Sequence, residues 1–303
     1  MARKRRHDQD RIVNQSRKNT GLLLVAISAV SFGLMPLFAK MAYSAGTSIY
    51  TLLFLRFLAA TVFMFLLIFI RKLPLPSEKE ILAFLLLGAF GYVGVSLCYF
   101  SALNYASASV VSLLEYTYPA LVMIGSVVFL KERITALKIC SLCLALAGAA
   151  LIIGTGSEAN PLGVILAILS AILYSVYILI NSRIVKPGMG VQSSAFIMLG
   201  TTVVYGVMIL FTGFAPPTAP IGYTAVFLLA MVSTVLAFWS FLTGMEKTGA
   251  STAALASTLE PVVTVFSSVV FLSEKLTVNI IVGGCLVLLA LIILSLPAKG
   301  APS

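Results

Sequence analysis

Ten stretches of mainly apolar residues follow one another along this chain, and that succession constrains the fold more than any single motif. They lie at approximately 20–41, 48–70, 80–103, 107–130, 134–154, 162–182, 191–212, 222–244, 250–272 and 277–296. Each has the roughly 20 residues that a helix needs to cross hydrocarbon. Inside a bilayer every backbone N–H and C=O must be satisfied within the protein, which leaves helices or a closed barrel. Runs of this length and density predict helices. The connections are short and carry loop residues, as in "RKLPLPSEKE", "GSEANP", "VKPGMG" and "FAPPTAP". The expected class is therefore an all-α polytopic membrane protein with ten transmembrane helices.

The charges agree with that class. Only 10% of residues are charged while 60% are hydrophobic, against about a quarter charged in soluble domains. Seven of the 20 Lys and Arg residues fall in the first eighteen positions. With the amino terminus in the cytoplasm, 17 of them stand on the cytoplasmic side or in the arm. Two, Lys40 and Lys275, lie on the other side, and Arg56 lies within the second segment. This positive-inside bias puts both termini in the cytoplasm. A net charge of +10 placed this way is a topology signal rather than a nucleic-acid footprint. The first run is too long for a secretory h-region and has no small-residue cleavage site, so it is expected to remain as the first helix.

The chain also repeats itself. An offset of 142 residues sets Pro119 on Pro261 and "SVVFLKERIT" (126–135) on "SVVFLSEKLT" (268–277). The same offset pairs Gly21 with Gly163, Ala108 and Ser109 with Ala250 and Ser251, and Cys143 with Cys285. The division is a basic arm over 1–18, a first repeat over 19–155, a second over 161–297 and a tail over 298–303. Each copy holds five segments, an odd number, so the second must cross the membrane inverted. Glu132 then falls at the cytoplasmic surface and its mate Glu274 at the far one. Inverted repeats are a feature of carriers that place the substrate between the halves near the midplane.

"LEPVVTVFSSVVFLSEKLT" (259–277), its counterpart "YPALVMIGSVVFLKERIT" (118–135) and "LRF" (Leu55 to Phe57) resemble the EamA-type transporters of the drug/metabolite transporter superfamily. The resemblance covers nearly all of the chain beyond the arm, as two tandem domains. It implies a basket of ten helices around a central cavity, in a bacterial inner membrane. It further implies a secondary carrier, in many members an exporter of amino acids or related metabolites.

Three charges lie within or near the expected hydrocarbon region: Arg56, Glu115 and Glu260. An ion at the bilayer centre costs at least about 2.5–3.5 kcal/mol, so each should face a partner or water. Glu260 precedes Pro261, and Glu115 stands one turn before Pro119; Pro36 marks a further kink in the first helix. Proline frees a carbonyl in the preceding turn, tolerated at depth only against protein or a wet cavity. Helices four and nine should therefore line a pocket. Helical spacing adds Tyr92, Ser96 and Tyr99 on the third helix, Tyr118 on the fourth, and Tyr174 and Tyr177 on the sixth. Ser28 and Ser31 on the first helix and Trp239 on the eighth complete the expected substrate pathway. Glu115 and Glu260 are not repeat mates, because the position equivalent to Glu260 is Tyr118.

Each of these residues has a plainer reading as well. Glu115 could be a structural ion-pair partner of Arg56, Glu260 a buried acceptor anchoring its helix, and the Tyr and Trp residues interfacial belts. In the functional reading Glu115 holds a proton or a substrate ammonium group, with Arg56 setting its charge state. "GAFGYVG" (88–94) and Gly283-Gly284 read as close-packing positions. "SEK" and "KER" read as solvated caps, and the four cysteines as small packing residues.

No Gly-Lys-Ser/Thr phosphate loop is present, and the one His is His7. No cofactor, metal or nucleic acid is therefore expected. The expected partners are a small-molecule metabolite, membrane lipids and a proton as candidate coupling ion. An enzyme would need a catalytic set that the membrane segments lack. Import, drug or cation export, and a channel or sensor stay open as alternatives.

Overall fold

The structure, a computed structural model, describes residues 19–130, 136–153, 160–186, 188–248, 253 and 256–295. Among these the secondary structure is helical throughout, with no strand. Six long helices are α1 (Asn19–Ser44), α2 (Ile49–Ile70), α3 (Glu78–Ala102), α6 (Pro161–Ile184), α7 (Gly190–Thr212) and α8 (Pro220–Thr248). Helix α4 comes in two pieces, Ala108–Glu115 and Tyr118–Leu130. Shorter apolar helices follow the sequence expectation at α5 (Ala136–Ile153), α9 (Leu259–Leu272) and α10 (Val278–Ser295). Seven helices, Ala108–Gly125 included, are long and apolar enough to cross a membrane. Large apolar side chains such as Phe69, Phe90, Leu210 and Phe211 point outward and are exposed. A lipid surround makes that arrangement favourable.

Hydrogen bonds between connections fix which helix ends meet. At what we call the far end, Ser48 N donates to Ala215 O (3.2 Å), Thr218 N to Ala45 O (2.8 Å) and Asn160 N to Tyr105 O (3.1 Å). At the near end, which carries residue 19, Lys186 pairs with Glu80 (2.7 Å) and Arg71 with Glu246 (3.4 Å). There too Gln192 Nε2 donates to Pro74 O (3.3 Å). Helix α1 thus starts at the near end and α6 at the far end.

Caps set the helix starts. Ser48 accepts from Thr51 N, Ser107 from Val110 N, and Asn160 from Leu162 N. Ser77 and Glu80 form a reciprocal capping box, each arrangement satisfying first-turn donors that have no helical partner.

The helices pack as α2 on α7, α5 on α10, α3 on α6 and α1 on α8. Under the 142-residue offset the first two pairs map onto themselves and the last two onto each other. Glycines allow the closest approaches. A Cβ on Gly88 would collide with Ile197 O, and one on Gly200 with Leu85 O, bringing α3 against α7. Gly148 and Gly283 do the same for α5 and α10, each hypothetical Cβ falling 2.6 Å from the other's carbonyl. The close-packing reading of "GAFGYVG" and Gly283 is realised at Gly88 and Gly283.

Two helices carry π-helical turns, Leu87–Tyr92 in α3 and Met231–Leu236 in α8; offset by 142, the first overlaps the second at four positions. Helix α4 turns at Tyr116 and Thr117, and the segment entering α9 turns at Thr258, 142 positions after Tyr116. A third turn, at Leu34, divides α1. Pro36, Pro119 and Pro261 each lie in the first turn of the helical piece that follows a break. Proline is tolerated there because first-turn N–H groups have no helical acceptor.

One loop residue behaves differently from its sequence reading. Glu274, expected as a solvated cap, is only 11% exposed in its side chain. Its carboxylate accepts from Ala108 N (2.6 Å), Ser109 N (3.1 Å) and Ser109 Oγ (2.8 Å). It therefore caps α4 from the other half of the chain, where anion and helix dipole attract. Lys40 Nζ stands 3.9 Å away and donates to Ala106 O. The repeat mates of this cluster, Glu132, Ala250 and Ser251, lie outside the described residues, as do the arm and the tail. The cysteines depart from expectation too: Cys140, Cys143 and Cys285 are exposed on the outer surface and only Cys98 is partly buried.

Replacing Glu274 by Ala should remove three bonds and cost about 1–2 kcal/mol. Thermal unfolding of the detergent-solubilised protein should show a Tm lower by several degrees, with Lys40→Ala costing less because its pairing is part-exposed. A Glu274→Ala protein that melts like the wild type would refute the cap.

Candidate functional site

The broken helices surround a cavity of about 620 Å³, within the size range of small-molecule sites. Helix α4 contributes Glu115, Tyr116, Tyr118, Pro119, Val122 and Met123. Opposite it stand Ser257, Thr258 and Glu260 at the start of α9. Helix α3 adds Tyr92, Ser96, Tyr99 and Phe100, α6 adds Tyr174, and α2 adds Arg56. The lining from α4, α6 and α8 extends from mid-bundle toward the near end, with Ile178, Phe238 and Phe241.

Eight of the residues expected in the pathway therefore meet in one space: Arg56, Tyr92, Ser96, Tyr99, Glu115, Tyr118, Tyr174 and Glu260. Four do not line it. Ser28 is buried and donates to Ala237 O (2.8 Å), joining α1 to α8. Ser31 is buried in α1. Trp239 is 37% exposed on the outer face, because α8 turns its neighbours Phe238 and Phe241 inward instead. Tyr177 backs the wall, stacked on Tyr174 at 5.9 Å and tilted against Tyr92 at 5.2 Å. Sequence reasoning passed over Phe32, Met35 and Phe241, apolar residues that give no signal apart from core packing.

Arg56 is only 4% exposed. Its Nε donates to Thr234 Oγ1 (3.0 Å), and its guanidinium lies 5.0 Å from the Phe57 ring centroid and 5.1 Å from that of Phe100. Thr234 is available because it sits in the π turn of α8, where its hydroxyl donates five residues back to Leu229 O (2.9 Å). The π turn and the arginine thus satisfy one another. No ion pair joins Arg56 to Glu115 or Glu260 among the described residues. The structural ion-bridge reading of Glu115 fails for that reason: rings and a hydroxyl hold the cation instead.

Glu115 is the last residue of the first piece of α4. Its Oε2 is sealed from the surface without a hydrogen-bond partner. Lining the same cavity, the tyrosines form a row, with ring centroids of Tyr116 and Tyr118 6.1 Å apart and Tyr118 edge-on to Tyr174 at 4.6 Å. Ser96 is committed elsewhere, its hydroxyl bonded to Tyr205 Oη (2.8 Å) and donating to Tyr92 O (2.7 Å). Tyr205 in turn stacks on Phe57, which stiffens the wall behind Arg56. Among the described residues no group of His, Cys, Asp and Glu is placed to hold a metal ion.

Arg56→Lys should lose both ring contacts and the fixed Nε bond, since a compact ammonium cannot stack. We expect it to lower stability by about 1–3 kcal/mol, more than Thr234→Val, when Tm is measured in detergent. Equal melting of wild type and Arg56→Lys would show that the Nε bond to Thr234 does not hold α2 to α8.

Comparison with known proteins agrees with this architecture. The profile of the EamA-like transporter family matches residues 19–154 and again 161–296. An uncharacterised transporter, YcbK, of Bacillus subtilis is 27% identical over 282 residues, covering 87% of this chain and 88% of the relative. An uncharacterised transporter of Archaeoglobus fulgidus is 27% identical over 214 residues, covering 68% and 75%. A solved crystal structure superposes with a TM-score of 0.64 at 18% identity, over 91% of this chain and 96% of its own. With two tandem matches that span most of its length, the chain belongs to the EamA-like transporter family.

Proposed function

We propose that the protein is a secondary carrier that exports amino acids or related small metabolites through this cavity by alternating access. In this reading all ten helices cross a bacterial inner membrane as two inverted five-helix repeats, with both termini in the cytoplasm. Repeat-equivalent breaks at Tyr116 and Thr258, and packing pairs that map onto one another, support the inversion. The observation that carries the function is the aromatic-lined cavity at those breaks, holding Arg56, Glu115 and Glu260 in a bundle otherwise fit for lipid. Hydrocarbon tolerates such groups only where a wet path or a bound solute meets them. A proton is the candidate coupling ion, with Glu115 as its site, since a carboxylate whose Oε2 has no donor gains from protonation or from a bound cation.

Two measurements test this. In proteoliposomes carrying a pH gradient, Glu115→Gln should lose substrate flux at least about tenfold while insertion stays normal; unchanged flux would remove Glu115 from the mechanism. Single cysteines at 158 and 299 in a cysteine-free background should label from opposite sides of the membrane. Labelling from one side would remove the inverted repeat.

A further inference from the structure

The cavity's charges are not balanced by its own residues, and that imbalance points to a class of solute. Two carboxylates, Glu115 and Glu260, and one guanidinium, Arg56, line the same space. The guanidinium has its Nε bonded to Thr234 and the ring centroids of Phe57 and Phe100 at 5.0 and 5.1 Å, and neither carboxylate pairs with it. Glu115 Oε2, by contrast, is desolvated and has no donor. A buried acceptor left unmade costs free energy until a donor arrives. The donor that suits it best is a cation, because Tyr116, Tyr118 and Tyr174 line the same cavity, with neighbouring ring centroids 4.6–6.1 Å apart. Aromatic faces attract ammonium groups, most strongly where water is excluded. The remaining wall is largely apolar, with Val122, Met123 and Phe241.

Resting on the carrier reading, we propose that the solute is a net cation: an ammonium group on an apolar body, without a compensating carboxylate. The ammonium donates to Glu115 inside the tyrosine wall, and the apolar body lies toward α8. One such cation offsets the excess of one carboxylate over the guanidinium, so the loaded cavity is neutral when both acids are ionised. This narrows the substrate from amino acids and their relatives to amines.

Three probes that share one ring and differ in charge decide the matter: phenethylamine, phenylalanine and 3-phenylpropionate. Binding to the purified full-length protein in detergent is read by calorimetry and by shift in Tm. The expected result is saturable binding of phenethylamine, about tenfold or more tighter than phenylalanine, and none of phenylpropionate. Glu115→Gln should weaken the amine about tenfold. Should that variant fail to fold, Tyr118→Leu should also weaken amine binding while Tyr118→Phe retains it, since the ring face and not the hydroxyl carries the attraction. Phenylalanine or phenylpropionate binding as tightly as the amine would overturn the proposal. So would an amine that does not saturate, or whose binding ignores Glu115→Gln or, where that variant does not fold, Tyr118→Leu. Flux in proteoliposomes separates this from the carrier reading. Amine that binds without crossing would sink the carrier and leave the site; gradient-driven phenylalanine flux without amine binding would do the reverse.

Discussion

Hydrocarbon offers a backbone no hydrogen bonds, and this constraint organises the rest of the molecule. It forces helices where the chain meets lipid, and it confines every interruption of a helix to the interior. The interruptions at Tyr116 and Thr258 consequently coincide with the cavity lining. A desolvated carboxylate and a proline can coexist there because both line the same cavity. Scaffold and site are thus two results of one solvation requirement.

Much of this is legible in the sequence, and the reason differs from residue to residue. Ten apolar segments and their charge bias follow from composition alone. Glu115 and Glu260 stand out because an acid in such a segment has so few tolerable places. Trp239 shows the opposite case. Its uniqueness drew attention, yet rarity carries no information about direction, and the helix turns it outward. The π turn in α8 rotates the register there, something no 3.6-residue wheel contains. That turn also hides the contact between Arg56 and Thr234, whose 178-residue separation leaves no local trace. Ser28 looked like a pathway hydroxyl but satisfies a neighbouring helix, a role that hydroxyls in packed membrane helices commonly fill.

The duplication copied the framework more faithfully than the chemistry. Offset by 142, Glu115 corresponds to Ser257 and Tyr118 to Glu260, and all four line the cavity. The positions are kept while the functional groups are exchanged, so each half brings one acid at a different height along its helix. Equivalent positions of the two tandem matches thereby bring different groups to one cavity.

The carboxylate of Glu274 has a bearing on biogenesis. It satisfies the opening turn of α4, yet the ribosome delivers it 166 residues after Ala108. When α4 enters the membrane its first amides therefore lack the group that will finally hold them. A nascent chain halted after α5 keeps an unfinished helix start at the far surface. Synthesis of the second half thus also completes this helix start in the first, although each copy spans a full family domain.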